Sequence, residues 1–231
     1  MTEQLQLQPR LRLLADLVPQ GARLADIGTD HGYLPVYLLQ RGRIASAIAA
    51  DIGRAPLDHA RRTAEQYGVE CGLRFLCCDG LCGISPEDAD TVVIAGMGGE
   101  TIIHILESAP WTRGCTLLLQ PQTKIELLRA WLREHGYAAD AERLVEDKGK
   151  LYLVLSVRGA EPGTASVLEQ YGGFCLEGDP LYGAYLTRQI ARLRRRAEGI
   201  RESRGEETQA LLSLAAQLEE KKEVWQYGGR A

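Results

Sequence analysis

Between Arg23 and Val157 the chain alternates short, almost wholly apolar runs with longer stretches in which apolar residues recur every three or four positions. The runs have the length of strands buried on both faces, and the longer stretches have the period of amphipathic helices. Strands are predicted over Arg23 to Gly28, Ile44 to Asp51, Leu73 to Cys78, Asp90 to Ala95 and Thr116 to Gln120. Helices are predicted over His31 to Gln40, with Pro35 tolerated in the first turn, and over Pro56 to Tyr67, Glu100 to Ser108 and Lys124 to His135. A short helix precedes them within Leu5 to Val18, ended by Pro19-Gln20-Gly21, and a strand pair, Tyr137 to Leu144 with Leu151 to Val157, closes the series.

Strictly alternating strands and helices imply an α/β fold with a doubly wound, mostly parallel sheet. Right-handed crossovers then bring the turns after strands one, two, three and four to one edge, the carboxyl edge. A closing strand pair is the usual ending of class I, Rossmann-like methyltransferase folds. The pattern breaks at Gly159-Ala160-Glu161-Pro162-Gly163, so one domain is expected over 1–159 and an appendage over 160–231. In the appendage Leu186, Ile190, Leu193, Ala197 and Ile200 form a heptad-like seam. Leu211, Ala215, Leu218 and Trp225, with Lys222 among them, form a second one beyond Gly205. Two such helices make an antiparallel, coiled-coil-like hairpin.

Composition adds limits. With 45% hydrophobic and 25% charged residues, the 231-residue chain is an ordinary globular one. It has no membrane-length apolar run and no signal-peptide pattern, and a cytoplasmic location is expected. The six cysteines form no disulfide framework. Cys77 and Cys115 are expected as small core hydrophobes, Cys71, Cys77, Cys78 and Cys82 lack metal-ligand spacing, and no metal is expected. The net charge of −4 speaks against a nucleic-acid binder overall, yet Arg188 to Arg204 contains seven arginines and two glutamates. A global sum can hide a basic stripe.

The most chemical stretch is Leu24-Ala25-Asp26-Ile27-Gly28-Thr29-Asp30-His31-Gly32, an apolar strand running into an acidic, glycine-rich turn and then a helix. This is a nucleotide-cofactor turn, but Asp30 stands where G-x-G-x-x-G has its second glycine, and a carboxylate there repels a pyrophosphate. The turn therefore suits an adenosyl cofactor without phosphate, of which S-adenosylmethionine is the common one. Asp26 and Asp30 could take its ammonium, Gly28 and Gly32 would let the backbone approach, and His31 would shape the loop. Asp51, 23 residues after Gly28, could grip ribose hydroxyls, with Ile52 covering an adenine face. Asp79-Gly80 could accept from the adenine amino group. Gly96-Met97-Gly98-Gly99 ends strand four, where methyltransferases place the group being methylated, and three glycines leave room for a flat base. Gln120-Pro121-Gln122 is a further candidate wall. His59, His104 and His135 fall on helix patterns as surface residues.

Ala25-Asp26-Ile27-Gly28-Thr29-Asp30-His31-Gly32-Tyr33-Leu34-Pro35, Ile94-Ala95-Gly96-Met97-Gly98-Gly99 and Leu119-Gln120-Pro121 resemble the bacterial tRNA (adenine(22)-N(1))-methyltransferases. The resemblance spans almost the whole chain, hairpin included. It implies S-adenosylmethionine on Asp26, Gly28, Asp30, Gly32, Asp51, Asp79 and Gly80, and tRNA as the partner. Tyr33, Met97, Gln120 and Pro121 are then candidates to face the target adenine. Gly98, Gly99 and the stripe of Arg188, Arg192, Arg194, Arg195, Arg196, Arg201 and Arg204 are candidates to meet RNA. Adenine N1 is a competent nucleophile, so no general base is nominated. A methyltransferase of another RNA, a protein or a small molecule is the nearest rival, followed by a nicotinamide oxidoreductase, which Asp30 disfavours, and a non-catalytic RNA binder. The residues leave the oligomeric state open.

Overall fold

A computed structural model describes residues 4–200 and 205–228. Seven strands form one sheet in the order β3-β2-β1-β4-β5-β7-β6. These are β1 (Ala22–Ile27), β2 (Ile44–Asp51), β3 (Leu73–Cys77), β4 (Thr91–Gly98), β5 (Thr116–Thr123), β6 (Tyr137–Asp147) and β7 (Lys150–Gly159). The first five run parallel to one another, and β7 runs antiparallel between β5 and β6. This is the class I, Rossmann-like methyltransferase arrangement that the alternation implied.

Successive residues of each central strand serve opposite cores, as a pleat of period two requires. Val92 and Ile94 of β4 and Leu117 and Leu119 of β5 belong to one core, and Val93 and Leu118 to the other. The second core is closed by α1 (Pro9–Leu17), α2 (Tyr33–Gln40) and α3 (Arg54–Tyr67). The first is closed by α4 (Gly99–Glu107), α5 (Ile125–Glu134) and the C-terminal helices α6 (Val167–Gly172), α7 (Tyr182–Glu198) and α8 (Gly205–Gly228). Among the described residues no helix is long and apolar enough to cross a membrane.

The element boundaries moved where local chemistry overrode periodicity. α1 begins only at Pro9, because proline favours the first helical turn, while Leu5 is buried in extended chain. α2 begins at Tyr33, after Gly32 in a left-handed cap, so His31 lies in the turn and not on the helix. β4 and β5 continue together past their apolar runs, with Met97 opposite Pro121. β6 and β7 extend to a tight turn at which Asp147 pairs with Lys150. Helix α6, capped by reciprocal Ser166–Glu169 hydrogen bonds, had no apolar periodicity long enough to announce it. Cys77 is exposed, since the edge strand β3 is covered on one side only, whereas Cys115 is buried as expected.

The helical hairpin forms along the expected seams, with Leu186, Ile190, Leu193 and Ala197 buried against Leu211, Ala215 and Leu218. Gly183 allows this closeness at its base, for a Cβ there would stand 2.6 Å from the Trp225 ring. The hairpin shares its core with the sheet, and a buried charge fastens the two together. The Arg129 guanidinium on α5 donates through Nε to Oε1 of Glu142 on β6 at 2.8 Å, and its Nη2 lies 2.7 Å from the same oxygen. Nη1 donates to the Gln170 carbonyl and the Tyr185 hydroxyl, both at 2.8 Å. The other Glu142 oxygen accepts from the Phe174 and Cys175 amides at 2.7 and 3.1 Å. Burial works against the Arg129 charge, but Tyr185 and Glu142 outweigh it and hold the group protonated.

Breaking such a pair leaves an unanswered charge in the interior, at a cost of about 3–5 kcal/mol. Arg129→Met is therefore expected to lower the urea midpoint severely, and Arg129→Met combined with Glu142→Leu to recover much of the loss. A single-variant cost under about 1 kcal/mol would remove the pair from its anchoring role.

Candidate active site

The turn after β1 is tightly folded. Gly28 and Gly32 have φ of +76° and +64°, values that side chains rarely tolerate, and a Cβ on Gly28 would lie 2.2 Å from the Met97 methyl. The amides of Gly28 and Thr29 donate to the Ala50 carbonyl at 2.8 and 3.1 Å, tying the turn to the end of β2. A cavity of about 430 Å³ opens over it, with Asp26 and the backbone of Gly28 to Gly32 on one side and Ala95 and Gly96 of β4 on another.

Asp26 is 8% exposed. Burial pushes its carboxyl up to about 6, the nearby charge of Asp51 adds to the rise, and a hydrogen bond from Thr29 opposes it. A buried carboxylate held this way is stabilised by a cation. Asp30 is exposed, with Oδ2 3.5 Å from His31 Nε2. The His31 ring is sandwiched between Tyr33 and His59 at 5.0 and 4.9 Å, nearly parallel to both. His59, expected on the surface, is half-buried instead, and its Nδ1 is buried with no partner. Ligand atoms of Asp30, His31 and His59 lie within 4.8 Å of one another, close enough to hold an ion.

Asp51, Ile52, Asp79 and Gly80 stand outside the cavity lining, along the adjoining strand ends, where the Cys78 amide donates to the Asp51 carbonyl. Asp51 Oδ1 accepts from the Gly53 amide at 2.7 Å. Ile52 is 74% exposed, an apolar side chain beside an acid with nothing covering it. Asp79 is exposed, and Gly80, at φ +54°, rests on Ile105.

The glycines after β4 divide their roles. Gly96 lines the cavity, whereas Met97 does not; its side chain packs onto Gly28 and the core. Gly98 lies against Thr123, and a Cβ on Gly99 would meet the Lys124 carbonyl at 2.5 Å. Gly96 thus leaves its stretch of the cavity wall without a side chain, while Gly99 lets α4 close on the β5–α5 turn. Gln120 and Pro121 do not face the cavity either. Both are buried, because β5 continues through them, and Gln122 is the exposed lining residue. Gln120 instead braces the wall. Its Oε1 accepts from Arg10 Nη1 at 3.0 Å and from the Gly96 amide at 3.1 Å.

Arg10, Asp147 and Lys148 complete the lining, and nothing in the strand-end motifs pointed to them. Arg10 enters from α1 with its guanidinium 5.3 Å from the Tyr152 ring centre. Lys148 enters from the β6–β7 turn. The α7 arginines are largely occupied. Arg192, Arg194 and Arg196 pair with Glu126, Glu219 and Glu207 at 2.7, 2.7 and 3.2 Å, and Arg188 donates to the Leu151 carbonyl. Arg195 is exposed, and Arg201 and Arg204 lie outside the described residues.

A family model described as a methyltransferase domain matches residues 7–155. The curated tRNA (adenine(22)-N(1))-methyltransferase of Bacillus subtilis (strain 168) is 36% identical over 188 residues, 80% of this chain and 77% of that protein. The solved structure of the B. subtilis m1A22 tRNA methyltransferase superposes with a TM-score of 0.81 at 30% identity, over 93% of this chain and 99% of that one. A Streptococcus pneumoniae structure in complex with S-adenosyl-L-methionine superposes with a TM-score of 0.80 at 32% identity, over 91% of this chain and 97% of that one.

The Asp26 carboxyl sets a pH signature. Its folded value of about 6 lies above the ordinary 3.8, so between these values the folded state keeps a proton that the unfolded state has lost. Stability should therefore fall as pH rises across that window, by about 3 kcal/mol at roughly 1.4 kcal/mol per unit. Urea unfolding of the protein and of Asp26→Asn, compared from pH 4 to 7, reads the effect as a difference between the two curves. Parallel curves would contradict it.

Proposed function

Because the chain belongs to the tRNA (adenine(22)-N(1))-methyltransferase family, we propose that it methylates N1 of adenine 22 in tRNA with S-adenosylmethionine as donor. The observation that carries this reading is the buried carboxylate of Asp26, facing a cavity at the end of β1 with further acids at the ends of β2 and β3.

The residues fit that cofactor. Asp26 answers an ammonium, Gly28, Gly32 and Gly96 leave the cavity wall free of side chains, and Asp30 and His31 shape the turn. Asp51 suits ribose hydroxyls, the uncovered Ile52 suits an adenine face, and Asp79 beside Gly80 suits an exocyclic amine. Arg10, across the cavity from the acids and held by Gln120, suits the carboxylate of the amino-acid end. When bound, S-adenosylmethionine supplies an electrophilic methyl group on its sulfonium.

The chain's own contribution is positioning. Adenine N1 carries an in-plane lone pair, so no proton has to be removed before attack. Holding two reactants in line is worth about 7–11 kcal/mol at best. N1 lies on the pairing edge, so the base must leave its stack to reach the cleft. Tyr33, 39% exposed on the cavity wall, offers it a ring face, and Gln122 a hydrogen-bonding partner. Arg188, Arg192, Arg195 and Arg196 present a basic face of the hairpin, 160–231, to the RNA, and a tRNA substrate places the protein in the cytoplasm.

Methyl transfer from labelled cofactor to a tRNA transcript, followed by nucleoside analysis, should yield N1-methyladenosine, and none from a transcript with guanosine at that position. A preparation that binds cofactor and forms no N1-methyladenosine would sink the reading. The Arg10 role has its own test. Arg10→Met should weaken S-adenosylhomocysteine binding roughly 10- to 100-fold, the size of a lost charged hydrogen bond, and leave 5′-methylthioadenosine binding unchanged in calorimetry. An equal loss for both ligands would make Arg10 a support of the wall only.

A further inference from the structure

Among the described residues two non-glycine residues have a left-handed backbone, and both are lysines: Lys124 at φ +55° and Lys148 at φ +50°. Both stand at the carboxyl edge, on the β5–β7–β6 side of the β1 and β4 strand ends. Lys124 follows β5 two residues after Gln122, which lines the cavity, and Lys148 lines the cavity itself. Neither position is one where local chemistry asks for lysine. Lys148 and Gly149, at φ +50° and +72°, are the two central residues of a hairpin closed by the Asp147–Lys150 pair. That geometry strongly favours asparagine before glycine. Lys124 is the N-cap of α5 and makes no side-chain capping bond, at a site where asparagine tolerates the backbone better.

The charges around them differ in kind from those on α7. Both side chains are exposed, and neither takes part in an ion pair among the described residues. Glu126, the acid nearest Lys124 on its own helix, is engaged by Arg192 at 2.7 Å. Asp147 shares the rim with Lys148 but sits opposite Lys150 across the turn, and with Glu146 the tip is balanced in charge, so that Lys148 is exposed beside acids without an ion pair to either among the described residues. Arg192, Arg194 and Arg196 of α7, by contrast, would each have to leave a carboxylate for a phosphate. Lysines held at a local cost beside a cleft mark a place where function has overridden turn chemistry.

We propose that Lys124 and Lys148 are phosphate contacts that seat the RNA backbone along the rim of the cleft, beside the nucleotide whose base enters it. The proposal rests on the tRNA methyltransferase reading. Each lysine neutralises one backbone phosphate, and the acids inside the cavity keep that backbone at the rim.

The test uses Lys124→Asn and Lys148→Asn, singly and together, in the full chain. Asparagine removes the cation and suits the left-handed backbone, so the melting temperature should stay at or rise above that of the parent protein. Binding of tRNA, measured as a function of salt, should lose about one unit of slope in log K against log salt for each variant and about two for the pair. Arg194→Ala, which removes an ion-paired arginine, should change the slope by less. Parent-like slopes in both lysine variants would overturn the phosphate contacts while leaving the function standing. So would a Lys148→Asn that weakens S-adenosylhomocysteine binding without altering the tRNA slope, because the lysine would then serve the cofactor. A parent protein that neither binds nor methylates tRNA would remove the functional reading, and the phosphate contacts with it.

Discussion

A guanidinium that water cannot reach must be answered entirely by protein, and the geometry of the C-terminal half follows from how Arg129 is answered. Its partners come from β6, from the end of α6 and from α7. The Glu142 carboxylate completes the arrangement by gathering two amides of the chain after α6, where Gly173, at φ +96°, leaves its second oxygen room. A hydrophobic contact between a helical hairpin and a sheet tolerates some sliding. A buried ion pair whose hydrogen bonds reach β6, α6 and α7 together tolerates very little. α5 begins at the β5 end of the cleft and β6 runs out to the turn at its rim. The same network therefore holds the helical hairpin, the β5–α5 turn and the β6–β7 turn in one fixed relation.

The cleft divides its charges by depth. The Asp26 carboxylate lies inside, shut away from solvent, Asp30 and Asp147 stand further out, and cations enter from the edges on α1 and the β6–β7 turn. A ligand that is cationic at one end and anionic at the other can satisfy both. A polyanion can meet the rim cations without facing Asp26. One cavity can therefore accept a zwitterionic cofactor inside and an RNA backbone outside, and the signs alone keep the two from exchanging places.

Much of this was legible in the residues, and the exceptions have physical reasons. The succession of strands and helices and the acidic turns were readable because a sheet buried on both faces needs apolar runs and its ends need turn residues. The lining contributed by Arg10, Asp147 and Lys148 was not, because those residues reach the cleft through tertiary packing of α1 and the long β6–β7 hairpin. A lysine before a glycine reads as a solvated turn until the fold brings it to a rim. Gln120 and Gln122 were confused for a related reason. β5 was expected to stop at its proline, but it runs on with its register against β4 shifted between Ala95 and Gly98, which breaks the regular two-residue alternation there. Gln120 is therefore buried beneath the wall that Gln122 lines. His59 was missed because a helical period marks which face is inward, not which ring will stack on a turn.

The absence of a nominated base follows from the same residues. Each titratable group of the inner cavity already has another task. Asp26 is buried and hydrogen-bonded by Thr29, Asp30 lies beside His31, and His31 is held in a stack of three rings. A base would need freedom to approach the target nitrogen's proton, and adenine N1 has none to give. The demand on the fold is then rigidity, since attack on a methyl group is effective only in line. The features that look costly in isolation serve that demand: glycines forced into left-handed turns, a wall braced by Gln120 from Arg10 to Gly96, and a buried ion pair under the rim. Each removes a freedom that would blur the alignment of donor and acceptor.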